Sequence, residues 1–429
     1  NRQFCSHVAP RRMKGAQPLN KFLAAVLACI FIALTGCDFI FPGVDVSDDE
    51  SSSVWADYLS EFENRWGFQR LSTNLKISYG EVYTAVKESF EKDESVTISD
   101  SKRGTHHQYI GLRVTLSKPL KTRDDARLLY TAFLFDNPQF FYIGNTYSYE
   151  GYRAGGTDFY NIFCLVYSMS AQERAVAAAR LEDTVSRILN GLYQKGAGGQ
   201  FETQLYLHDE LLKLCSYENM AVQTDDPAAL YPTAFTAYGA LAEGKAVCEG
   251  YSRAMQLLLH RAGIECTLVS GNDQNNVSHM WNLVTIDGRN YHLDPTWNDG
   301  SDKIHHSYFN LTTAEILLSH KIDKENIGID TCTSREANYY LRKERQLDTV
   351  RRDDIAKTIA DAVIQGDSII DLRFTKNTFA AARLFINNRE LLIQKVNHIL
   401  NGSEYLMWNY EEYNVNDIYY TLTLYKHDS

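Results

Sequence analysis

Basic clusters are missing from this 429-residue chain, whose formal net charge is −11. An acidic surface without such a cluster repels a phosphate backbone, so a dedicated nucleic-acid binder is excluded. Closely paired cysteines are missing too. Cys164, Cys215, Cys248, Cys266 and Cys332 are scattered, which indicates neither a disulfide framework nor a zinc site. The adjacent pairs His106-His107 and His305-His306 do not alter this, because neighbours on a strand face opposite ways. No cofactor or metal is expected. No internal repeat is present, and the apolar run at 22–34 is short for a membrane span. What remains is the composition of a globular protein, 44% apolar and 23% charged, with length for two or three domains.

The run at 22–34 has the length of a secretory signal core, and Lys14 and Lys21 after Met13 supply its basic flank. It ends in Leu34-Thr35-Gly36-Cys37, which resembles the bacterial lipoprotein signal. That resemblance makes Cys37 the lipidated first residue of an extracytoplasmic protein; the other reading is an ordinary signal with a chance cysteine. Several acyl chains anchor a protein without a spanning helix. Residues 1–36 are then leader, and 37–54, polar through VSDDESSS, are a tether.

Residues 55–194 read as an α+β accessory domain. Alternation predicts strands at 108–116 and 158–167, and a helix at 126–135 stops before Asn137-Pro138. Ser170 and Glu173 form a capping box for a helix reaching Ile188 and Leu189. KGAGGQ, 195–200, is a glycine-rich boundary. Residues 330–429 read as a second accessory domain of α/β type, with helices at 352–363 and 390–400 and strands at 368–374 and 418–425. Its aromatic end, with Tyr405, Trp408, Tyr410, Tyr413, Tyr419 and Tyr420, serves as core and cross-strand pairing or as a carbohydrate or peptide platform.

Between them, 201–325 holds the chemistry. A first helix sets Phe201, Leu205, His208, Leu212 and Cys215 on one stripe, with His208 as a core histidine. Cys248, in GKAVCEGYS, opens a second helix whose apolar stripe is Tyr251, Ala254, Met255, Leu258 and Ala262, with Gly263 as its stop. A thiol at a helix N-terminus feels the partial positive charge of unpaired N–H groups, which favours thiolate. A strand at 264–270 and a polar loop at 271–278 follow. Asp287-Gly288 is a two-residue hairpin signal between runs 279–286 and 289–294. With that turn Ile286 pairs with Arg289, Asp294 opposes Trp281, and Thr296 opposes His279, all on one face. His279 and Asp294 become diagonal neighbours, about 7–8 Å apart at Cα, close enough for an imidazole–carboxylate hydrogen bond. A three-residue turn would put them on opposite faces.

The order Cys248, His279 in SHMWNLV and Asp294 in YHLDPTW resembles the transglutaminase-like family of papain-like thiol enzymes. So do LYLHDELLKLCSYE upstream and HSYFNLTTAEILLSH downstream. The resemblance implies an α+β core in which a cysteine-bearing helix packs on an antiparallel sheet carrying histidine and aspartate. It makes Cys248 the nucleophile, His279 the base and acid, and Asp294 the residue that orients His279. Trp281 and Trp297 line the site, and Tyr238, in AYGAL, either contributes to it or packs beneath its loop. The implied substrate is a peptide or protein amide at the bacterial cell envelope, cleaved to a thioester that water or an amine resolves. A catalytically silent binding or scaffolding module is the alternative. No acidic calcium loop is visible, so no calcium dependence is carried over.

Overall fold

The computed structural model describes residues 60–100, 105–196, 198–300, 304–348, 351–367, 369–401, 408–414 and 419–426. The expected leader, Cys37, the tether and Tyr405 lie outside the described residues. Among the described residues no helix is long and apolar enough to cross a membrane. The chain forms two compact units that divide at Ala179/Arg180.

In the first unit the order is a 3-10 turn Ser60–Phe62, α1 Trp66–Gln69, α2 Thr73–Glu88, β1 Glu94–Asp100, β2 Thr105–Leu120, α3 Arg123–Asp136, β3 Ile143–Ala154 and β4 Thr157–Tyr167. The strands pair antiparallel in the order β1-β2-β4-β3. Tyr79, Phe62, Phe68 and Phe133 are buried, and Tyr79 meets each of the other three edge-on. Asp136, at the end of α3, accepts hydrogen bonds from Gly67 N and Phe68 N at 2.8 Å each. Its carboxylate thereby satisfies two first-turn donors of α1. Helix α4, Ala171–Lys195, begins in this unit, and its expected capping box is present: Ser170 N reaches Glu173 Oε2 at 2.8 Å and Glu173 N reaches Ser170 Oγ at 3.3 Å.

The second unit continues with α5 Gln200–Leu214, β5 Ser216–Tyr217, α6 Pro227–Leu230, a 3-10 turn Pro232–Phe235, a π-turn Gly239–Glu243, β6 Lys245–Ala246 and α7 Cys248–Arg261. Then come β7 Cys266–Asp273, β8 Ser278–Ile286, β9 Arg289–Leu293, α8 Pro295–Asn298, α9 Thr313–Ile316 and β10 His320–Ile322. Strands β10-β7-β8-β9 form an antiparallel sheet with α7 packed on β7 and β8. This is the α+β arrangement expected of the cysteine helix and its sheet. The last elements are α10 Tyr339–Arg342, β11 Gln346–Leu347, α11 Arg352–Ile364, β12 Ile369–Thr375, α12 Lys376–Asn387, α13 Arg389–Ile399, β13 Trp408–Asn414 and β14 Tyr419–Lys426. They build a sheet in the order β11-β12-β14-β13, parallel only at β11/β12. Ile355, Ile359, Ile370, Leu372, Phe385 and Leu422 centre its core.

Three local expectations are corrected. The polar loop at 271–278 shrinks to 274–277, because Gly271 and Asn272 pair with both β10 and β8 and Asp273 pairs with β10. Helix α7 is buried from Cys248 through Leu259 rather than along one stripe, and Ala262 is half-buried. Its polar residues survive burial by being paired: Arg253 Nη2 meets Glu249 Oε1 at 2.8 Å, and Gln256 Nε2 donates to Cys266 O at 3.1 Å. On α5 the buried stripe includes Gln204, Leu207 and Leu211, while Leu205 is half-buried.

Candidate active site

Cys248 is the first residue of α7, entered from Val247 in extended conformation. The approach to this helix start is close. A Cβ on Gly250 would lie 2.4 Å from Ala234 O, so glycine lets the 3-10 turn pack directly on the first turn of α7. The helix is tied to β8: Ser252 Oγ lies 2.8 Å from Cys248 O and 3.0 Å from Met280 O, and Asn282 Nδ2 donates to Ser252 O at 2.9 Å. These bonds fix Cys248 against the strand that carries His279.

The hairpin forms in the expected register. Ile286 opposes Arg289 and Asn282 opposes Leu293, with Asp287 and Gly288 both at positive φ, 50° and 74°. Strand β9 stops at Leu293. Pro295 cannot donate to a ladder, so the chain turns into α8, with Asp294 as its N-cap and Thr296 inside it rather than opposite His279. The predicted contact survives the change. His279 Nε2 lies 2.6 Å from Asp294 Oδ2.

A carboxylate only accepts, so His279 carries its proton on Nε2 and meets Cys248, its other hydrogen-bond partner, through Nδ1. Burial lowers the affinity of His279 for a second proton; Asp294, by charge and hydrogen bond, and then Cys248 outweigh burial and raise its pKa to about 10. Burial works against ionisation of Asp294 as well, yet the charge and hydrogen bond of His279, with help from His320, hold its carboxyl well below the usual range. Asp294 is engaged on every side: Oδ1 accepts from Trp297 N at 3.1 Å, Oδ2 also meets His320 Nε2 at 3.0 Å, and its own N donates to Tyr308 O at 3.0 Å.

The lining residues fall on both sides of His279. The Trp281 ring stacks at 6.0 Å and the Trp297 ring lies at 5.6 Å. Trp281 Nε1 donates to His292 Nδ1 at 3.1 Å, which keeps that imidazole neutral with its proton on Nε2, near Thr313 Oγ1. Tyr238 is buried, and its hydroxyl accepts from Arg180 Nη1 at 2.9 Å. The described cysteines are all free. Burial pushes Cys164 up to about 11, Cys215 up to about 12 and Cys332 up to about 11, so these three are inert thiols. At 7%, Cys248 is the most exposed of the five.

His320 carries no role in the sequence reading, although it ends the recognisable run HSYFNLTTAEILLSH. Its place depends on the edge pairing of β10 with β7, which no local pattern announces. His208 is a core histidine, as expected, and sits in a second buried cluster. Asn298 Nδ2 lies 3.1 Å from His208 Nε2, His208 Nδ1 lies 2.8 Å from Asp209 Oδ1, and His306 Nε2 reaches the same oxygen at 3.0 Å. Asn298 Oδ1 accepts from Tyr308 N, so its amide nitrogen must donate to His208 Nε2. His208 Nδ1 therefore keeps its proton for Asp209, and has no lone pair to offer a metal.

Residues 176–295 match the profile of the transglutaminase-like superfamily. No curated protein is detectably similar in sequence. Similar solved structures include a TGase, 14% identical with a TM-score of 0.26 over 35% of this chain and 44% of that one. Another is a presumed protease from Parabacteroides distasonis, 11% identical with a TM-score of 0.22 over 48% of this chain and 36% of that one. The chain thus covers less than half the length of either. Residues 176–295, within which Cys248, His279 and Asp294 come together, are a transglutaminase-like domain.

Proposed function

We propose that this protein is a thiol acyl-transfer enzyme acting on peptide or protein amides, with Cys248 as nucleophile, His279 as acid and base, and Asp294 as the residue that orients His279. The observation that carries the reading is the Cys248–His279–Asp294 contact, with the thiol at a helix N-terminus and the imidazole 2.6 Å from a buried carboxylate. Cys248 thiolate adds to the amide carbonyl, and the first-turn N–H groups of α7, that of Cys248 included, stabilise the oxyanion. As the carbon–nitrogen bond breaks, the imidazolium of His279 gives its proton to the departing amine or ammonia, leaving a thioester. Water or a second amine then attacks the thioester, His279 takes the attacker's proton, and the thiolate is released. Cysteine peptidase or amidase and transglutaminase chemistry share the first half-reaction and differ in the acceptor. Leu34-Thr35-Gly36-Cys37 supports placing the reaction outside the bacterial membrane, with the chain anchored through lipidated Cys37.

The test is turnover of an unstructured glutamine-bearing protein by the full chain, with and without a fluorescent primary amine. The reading expects new peptide termini, released ammonia or amine incorporation, lost by at least about 10³-fold in Cys248→Ala. Equal behaviour of wild type and Cys248→Ala would instead mark a binding module. Cys37→Ser should abolish labelling by a clickable palmitate in a bacterial host, and retained labelling would contradict the anchor.

A further inference from the structure

We propose that His320 is a positioning residue for this chemistry: a second imidazole that fixes the Asp294 carboxylate and sets how tightly Asp294 holds His279. The inference rests on the acyl-transfer reading. Its geometric basis is that one oxygen serves two rings. Asp294 Oδ2 lies 2.6 Å from His279 Nε2 and 3.0 Å from His320 Nε2, and all three side chains are buried. Since the oxygen only accepts, both rings present an N–H to it. With Oδ1 held by Trp297 N, the carboxylate cannot turn.

His320 is itself held in place. Its ring lies 4.3 Å from Trp297, 4.9 Å from Trp281 and 5.6 Å from Tyr308, and its backbone pairs with Asp273 in β7, two positions along from Gly271, which opposes His279. Ser319 Oγ lies 2.8 Å from His320 Nδ1 and 3.4 Å from Ile316 O. A neutral His320 accepts the Ser319 proton at Nδ1. A protonated His320 donates to Ser319 Oγ, whose own proton turns to Ile316 O. Either charge state is satisfied without moving a heavy atom.

Two consequences follow for the reaction. When His279 gives its Nδ1 proton to the departing amine, the buried Asp294 carboxylate loses the positive charge beside it but keeps two N–H donors, His279 Nε2 and His320 Nε2. A carboxylate shared with a second donor is also a weaker base, so the His279 proton leaves more readily. The ionisable groups facing this array are Cys248 from α7, His292 from β9, His208 from α5 and the Tyr308 phenol, besides the three residues themselves. His292 and His208 are both held neutral, by burial first, and neither supplies a competing positive charge at neutral pH.

The experiment compares wild type, His320→Ala and His320→Gln as full chains, following amide turnover against pH and the His279 titration by 15N NMR of labelled imidazole. Gln keeps a side-chain N–H donor without a titrating ring and guards against collapse of an alanine cavity. His320→Ala should lower kcat about 10-fold, with KM little changed. It should also move the alkaline limb and the His279 titration upward by about one pH unit, because Asp294 then serves His279 alone. His320→Gln should restore the wild-type limb and titration. A uniform loss of rate with neither shift, or shifts that Gln fails to reverse, would reduce His320 to core packing. The NMR readout needs no substrate. A shifted titration in a protein without turnover would support the positioning role while overturning the acyl-transfer reading.

Discussion

Asp294 is an N-cap and a hydrogen-bond acceptor for two imidazoles at once, and its several jobs make its replacement informative. Asp294→Asn preserves size and an acceptor oxygen but removes the charge that raises the His279 pKa. The alkaline limb of turnover should fall from about 10 toward the ordinary histidine range, and kcat should drop by about 10²–10⁴-fold. An unmoved limb would show that Asp294 does not control the charge of His279. The His279–Asp294 contact was legible because Asp287-Gly288 fixes a register that local arithmetic can follow. The end of the strand at Leu293 departs from that arithmetic. The order Asp-Pro is the signal for it, since proline ends the ladder and aspartate caps the next turn.

At the scale of elements, the cysteine helix depends on one close approach and the last sheet on one buried charge. Gly250→Ala would press a Cβ to 2.4 Å from Ala234 O, a backbone atom with no room to yield. The expected cost is about 1–3 kcal/mol of stability, read as a lower denaturation midpoint. Wild-type stability in the variant would contradict the packing described. His306 is held between Asp209, from α5, and Asp371, from β12: Nε2 lies 3.0 Å from Asp209 Oδ1 and Nδ1 lies 2.9 Å from Asp371 Oδ2. Thr423 from β14 donates to the other Asp371 oxygen. Both ring nitrogens face carboxylates, so His306 is an imidazolium, and despite burial its pKa rises to about 9. Asp371→Asn should cost about 1.5–3 kcal/mol, measured by urea denaturation at neutral pH. The sequence rules out His305-His306 as a chelating pair but does not show this charge pairing, because the partners come from more than sixty residues away on either side. Helix α7 was legible as an element, but its full burial was not. Ser252, Gln256 and the Glu249–Arg253 pair look like a solvent face until the strands that accept from Ser252 and Gln256 are in place and Glu249 and Arg253 pair with each other.

For the whole molecule, the two raised histidines set a pH window for stability. His279 and His306 bind protons more tightly folded, at about 10 and about 9, than an ordinary histidine at 6.5. Their contribution is complete below pH 6.5 and is lost as pH rises through 9 to 10. Asp209, Asp294 and Asp371 are depressed, so theirs is present above the usual carboxylate range and is lost only in strong acid. The melting temperature should therefore fall between pH 8 and 10.5, about where these histidines titrate, and His306→Gln should remove the earlier part of that fall. A flat profile across that range would contradict both buried imidazolium assignments. The α+β core was legible at this scale because its motifs are contiguous in sequence. The edge strand β10, which adds His320 to the site, joins β7 through long-range pairing and stayed hidden.

The most direct test of the central claim is the alkylation rate of Cys248 against pH on the full chain, read by peptide mass mapping, with His279→Ala as the control. The account predicts reaction at Cys248 ahead of Cys164, Cys215 and Cys332 at neutral pH, a lead that is lost in the control. An ordinary thiol profile at Cys248, identical in wild type and His279→Ala, would contradict it.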